Sequence, residues 1–185
     1  MTEGEAMQKN TVEPTEAEPT YSYGCVFCTT GKEKFVAEQI QTACPQIRAT
    51  PMRQEKYRTH QGKKSRIEAV VLPGYVFLEA PVESDLFQCL PKDYVIRLLT
   101  TDSGVWQLHG EDERFARWVL KYDGLLQFSK ACKVGDRIRI ISGPLKDMEG
   151  RIARIDKRGR SGQVVLTFNG RNIPVWLGFE LIDLV

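Results

Sequence analysis

The stretch Ala69-Val70-Val71-Leu72-Pro73-Gly74-Tyr75-Val76-Phe77-Leu78 constrains this chain more than any other. It is apolar, rich in β-branched and aromatic residues, and bracketed by Glu68 and Glu79, which predicts a buried strand. Pro73-Gly74 falls in its middle, where a regular central strand would lose its ladder. Proline removes an N–H donor, and glycine permits a bulge or a close backbone approach, so the pattern predicts two short runs joined by a kink. Tyr75 follows the kink. Its ring, apolar in body and polar at the tip, suits a kinked core strand or a domain surface.

The chain has 185 residues, enough for one or two domains. It has no run of about 18 apolar residues that would span a membrane. Its first residues are acidic and polar with no apolar h-region, so a secretory signal is not expected and the cytoplasm is the expected location. Charge is unevenly spread. Residues 1–20 carry five Glu against one Lys, whereas residues 131–185 carry ten Lys/Arg against six Asp/Glu. A basic unit behind an acidic tail suits a polyanionic partner.

The five cysteines are an odd count and are expected to be free thiols. Cys25 and Cys28 have CxxC spacing, but on a strand positions three apart face opposite sides. With no second CxxC or nearby His, they are expected to be buried and inert. No metal or other cofactor is expected. The histidines His60 and His109 lack triad partners, the carboxylates are scattered, and no phosphate-cradling loop, GxSxG or HExxH occurs, so no catalytic constellation is expected.

Residues 1–20 have little to bury and are expected to be disordered. Residues 21–121 predict an α+β unit, an antiparallel sheet flanked by helices. Its elements are a strand from Tyr23 to Cys28, a helix over Lys32–Ile40, a hairpin over 50–68, the kinked strand, a short helix after Ser84, a strand over Tyr94–Leu99 and a helix over Asp112–Leu120. Residues 122–132 are expected to connect. Residues 133–185 predict a small all-β barrel of short strands, with turns at Ser142-Gly143-Pro144 and Asn169-Gly170.

Two motifs resemble a known family. Gly135-Asp136-Arg137-Ile138-Arg139-Ile140-Ile141-Ser142-Gly143-Pro144, followed by Glu149-Gly150-Arg151-Ile152, resembles the KOW motif of NusG-type transcription factors. Pro73-Gly74-Tyr75-Val76-Phe77-Leu78 resembles the signature of their N-terminal NGN domain. The resemblance implies an NGN domain followed by an SH3-like KOW barrel, acting in transcription elongation and antitermination. Gly143 to Gly150 and Ile155-Asp156-Lys157-Arg158 are similar to the specialised LoaP antiterminators. The other readings are a general NusG factor coupling polymerase to Rho or the ribosome, and a KOW protein of the ribosome. Leu145 and Met148 depart from the Phe common in the general factor.

By position, the resemblance implies that Tyr23, Val71, Leu72 and Tyr75 dock on the clamp helices of RNA polymerase, as a ring-filled hot spot. Core packing is the other reading of these four. Arg58, Lys63, Lys64 and Arg66 lie near the hairpin tip and are candidates for phosphate contact, here non-template DNA, against a merely solvated hairpin. Arg154, Lys157, Arg158, Arg160 and Arg171 are candidates for an RNA hairpin in the transcript, against a solvated loop. A monomer is expected.

Overall fold

A computed structural model describes residues 20–182. Residues 1–19, nearly all of the tail expected to be disordered, lie outside the described residues. The first sheet is formed by β1 (Tyr21–Cys28), β2 (Arg48–Pro51), β5 (Tyr75–Pro81) and β6 (Val95–Leu98), in the order β2-β5-β1-β6. Its strands alternate. Val76, Leu78 and Ala80 of β5 join Val26 and Cys28 of β1 beneath α1 (Glu33–Ala43), which contributes Val36 and Ile40. Phe77 and Cys25 face the other way, against Phe115, Trp118 and Val119 of α3 (Gly110–Lys121). A strand period of two and a helical stripe thus place two apolar layers on opposite faces of one sheet.

The expected kinked strand is instead two strands of different sheets. β3 (Arg53–His60) and β4 (Lys63–Val70) form the hairpin, and β4 ends before the Pro73-Gly74 turn. β5 then starts at Tyr75 in the first sheet. Gly74 has φ +83°, and a Cβ there would lie 2.7 Å from a ring carbon of Phe27. Only glycine suits both conditions.

Residues 122–132, read as a connector, carry β7 (Leu125–Leu126), which pairs with β3, and the start of β8 (Ser129–Val134). β8, β9 (Arg137–Ser142), β10 (Ile152–Asp156), β11 (Ser161–Phe168) and β12 (Arg171–Leu181) form a five-stranded sheet in the order β10-β11-β12-β8-β9. The β12–β8 pair is parallel and the others are antiparallel. The expected turn at Gly143-Pro144 opens a short helix, α4 (Pro144–Asp147), which buries Leu145 completely.

The two units share a core. Phe168, at the end of β11, packs against Phe77 and Phe115, with ring centroids 5.2 and 5.1 Å away. Polar contacts border this cluster along α3. The Asn169 N–H donates to Asp112 at 2.9 Å, Arg151 pairs with Glu111 at 2.8 Å, and Lys121 and Tyr122 both donate to Asp147.

Candidate functional site

The Pro73-Gly74 turn is pinned from across the unit. Glu33, buried at the start of α1, accepts N–H bonds from Gly74 at 2.7 Å and Gly31 at 3.0 Å. Burial pushes its carboxyl up, but these donors and its own backbone amide outweigh that and hold it below the usual carboxylate range. The turn aims Tyr75 between two rings. Phe27 is 5.0 Å away on the same sheet, and Phe168 is 5.7 Å away on the C-terminal unit.

The four residues read as a docking patch do come together. Tyr23, Val71, Leu72 and Tyr75 are all half-buried around the core that both units share. The Tyr23 hydroxyl donates to Glu79 at 3.1 Å, and the Arg117 guanidinium lies 5.0 Å over its ring. Burial and the bond to Glu79 raise the Tyr23 pKa. The sequence reading missed Phe77, Phe115 and Phe168, which floor and cover the patch. Two-residue spacing from Tyr75 marks Phe77; nothing local marks Phe168. A Cβ at Gly24 of β1 would lie 2.9 Å from the Trp106 ring, so the close packing of that ring favours glycine there.

The four hairpin cations do not form one cluster. Lys64 pairs across the ladder with Thr59, and Arg66 with Tyr57, so these four share one face. There Tyr57 stacks on Phe128 at 4.8 Å, with Lys64 4.0 Å over the Tyr57 ring. Arg66 and the Tyr57 hydroxyl both donate to Glu180 of β12. Arg66 is therefore engaged in holding the two units together. Arg58 and Lys63 lie on the opposite face with Lys56 and His60, all exposed.

The C-terminal cations divide as well. Arg158 and Arg160 lie exposed in the β10–β11 turn, which Asp156 shapes by accepting N–H bonds from Arg158 and Gly159 at 3.0 and 2.9 Å. Lys157 is drawn to the Asp136 carbonyl in the β8–β9 turn. Arg154 precedes the turn on β10. Arg171 begins β12, opposite Phe168, at the far end of β11 from Arg160, and does not belong to this cluster.

Three thiols are free and buried: Cys25, Cys28 and Cys132. Cys25 and Cys28 lie in different core layers, as their spacing predicts. Burial and the nearby Glu33 charge push Cys28 up to about 11. Cys44 and Cys89, expected to be free, form a disulfide between α1 and α2 (Leu86–Cys89). Chain folding brings them together although 45 residues separate them in sequence.

No protein-family model matches the chain. Several curated proteins do, each named transcription termination/antitermination protein NusG. That of Synechocystis is 26% identical over 135 residues, covering 66% of this chain and 65% of the relative. That of Thermus thermophilus is 27% identical over 134 residues, covering 65% and 71%. That of Staphylococcus carnosus is 24% identical over 139 residues, covering 70% and 73%. The chain is similar in sequence to these NusG proteins. The match to the Synechocystis protein thus spans slightly less than two thirds of that relative's length. A solved structure described as domain interaction in Thermotoga maritima NusG aligns with a TM-score of 0.48 at 23% identity, covering 86% of this chain and 94% of that one. Among the described residues, no helix is long and apolar enough to cross a membrane.

Proposed function

We propose that this chain is a NusG-type transcription elongation factor, with residues 21–121 as its NGN domain and 133–185 as its KOW domain. The observation that carries this reading is the half-buried patch of Tyr23, Val71, Leu72 and Tyr75, held by a glycine turn and the Glu33 carboxylate. Similarity to proteins named NusG supports it. In this reading the patch docks on the clamp helices of RNA polymerase in the cytoplasm. Preferential binding to the closed, elongating clamp shifts its population and suppresses pausing. The KOW domain, tethered beside the emerging transcript, binds RNA at an enhanced effective concentration, as in the LoaP group. Because Phe168 covers one side of Tyr75, docking requires the C-terminal unit to move away.

The test is a binding titration of the full chain against core RNA polymerase. Tyr75→Ala is expected to cost about 2 kcal/mol or more of affinity, the scale of a hot-spot ring, with the variant still folded by circular dichroism. Unchanged affinity with collapsed thermal stability would make Tyr75 a core residue and refute the docking assignment.

A further inference from the structure

β9 and β10 are the end strands of the five-stranded sheet, so each is paired on one side only. Their free edges nevertheless face each other. Ile138 and Ile140 of β9 and Ile152, Arg154 and Ile155 of β10 line one cleft of about 310 Å³. At one end Lys157 reaches the Asp136 carbonyl and joins the two turns. Along the cleft, among the described residues, no backbone hydrogen bond joins β9 to β10. Exposed Arg137 and Arg139 alternate with the isoleucines on β9, and Arg154 stands on the opposite strand. None of these three guanidiniums makes an ion pair with a described carboxylate.

We propose that this cleft binds an extended, acidic segment of a protein partner by strand addition. An unpaired strand edge supplies backbone donors and acceptors in register for an added strand. Side chains of such a strand alternate in direction. Branched apolar residues would then meet the isoleucine floor, while the intervening carboxylates meet Arg137, Arg139 and Arg154. A nucleic acid makes poorer use of the same surface. A phosphate backbone has no need of four isoleucines, and no aromatic ring lines the cleft for base stacking. The polymerase-docking patch plays no part in this proposal, so either can fail alone.

The experiment uses the isotope-labelled full chain and a capped, alternating Glu-Val peptide of about eight residues, an ordinary strand length. Amide shifts are expected along Arg137–Ser142 and Ile152–Asp156. An alternating Lys-Val peptide is expected to bind about tenfold or more weakly, because close charge complementarity is lost. N-methylation of alternate amides on the Glu-Val peptide should weaken it similarly by removing ladder donors. The exposed double change Arg139→Glu, Arg154→Glu should reproduce the loss without unfolding the sheet. Shifts confined to other surfaces, or equal affinity for the Lys-Val peptide, would overturn the proposal. So would an RNA hairpin that perturbs the cleft amides when the peptide does not, since the cleft would then be a phosphate site.

Discussion

Phe168 stands edge-on to Tyr75, with ring centroids 5.7 Å apart and planes at 88°. One ring belongs to the C-terminal sheet and the other to the turn of the first sheet. The same Phe168 ring touches Phe77 and Phe115, so one side chain both packs into the shared core and shields the patch proposed to dock.

Opening that junction should strengthen docking, and the choice of substitution matters. Phe168→Ala would cost about 3–5 kcal/mol as a buried cavity and confound the result. Phe168→Leu keeps most of the volume and removes ring–ring contacts of about 0.5–1.5 kcal/mol each. We expect the leucine variant to bind polymerase several-fold more tightly than wild type. Glu180→Lys should act in the same direction by breaking the contact with Arg66. Both side chains of that pair are substantially exposed, so its effect should not exceed about 1 kcal/mol. Titration of the three proteins against polymerase decides. Unchanged or weaker binding by both variants would mean that closure does not compete with docking.

Much of this molecule was legible from local pattern. Asn169-Gly170 marked the hairpin between β11 and β12. Cys25 and Cys28 fell into separate layers because strand geometry allows nothing else. What pattern could not supply was long-range pairing. Cys44 meets Cys89, and Phe168 meets Phe77, only because whole elements pack. The hairpin cations illustrate the same limit. Arg58, Lys63, Lys64 and Arg66 look alike in sequence, yet cross-strand register divides them and Glu180 engages one. β8 was missed because Ser129–Val134 includes two lysines and a cysteine, with little alternation to mark it.

Acid should loosen the Pro73-Gly74 turn. The Glu33 carboxyl is lowered in the folded chain, so its ionised form adds stability above the unfolded value of about 4.3. That increment is lost as pH falls through the lowered folded pKa. Glu33→Gln keeps the shape but lacks the charge. Thermal melts from pH 7 downward should show wild type above the variant at neutral pH, with the gap closing below about pH 4. A gap independent of pH would leave no role for the charge.

Reduction should destabilise the N-terminal unit. The Cys44–Cys89 bond closes a loop across 45 positions and ties the end of α1 to α2. Its loss is expected to cost about 2–4 kcal/mol in urea unfolding. Thiol titration supplies the count. Protein denatured without reductant should show only Cys25, Cys28 and Cys132 as reactive, and the folded protein almost none, because all three are buried. Equal stability with and without reductant would mean that the bond adds nothing.

The proposed RNA contact can be narrowed by the structure. Arg158 and Arg160 lie on one turn whose backbone Asp156 fixes, and both are exposed. Lys157 is already drawn to the Asp136 carbonyl, and Arg171 is at the far end of β11, so neither belongs in the decisive variant. If Arg158 and Arg160 each neutralise a phosphate, each releases condensed counterion on binding. The slope of log affinity against log salt then flattens by about 0.7–0.9 for each contact removed. The double change to alanine should therefore flatten the slope by about 1.5 and weaken hairpin binding, most strongly at low salt. Polymerase affinity should be unchanged, since this turn lies at the opposite end of β11 from Phe168, the residue of this unit that touches Tyr75. The measurement is a titration of a transcript-leader hairpin at several salt concentrations, wild type against the double variant. An identical slope and affinity would make the turn a solvated surface and move the search for an RNA contact to the exposed hairpin face of Lys56, Arg58 and Lys63.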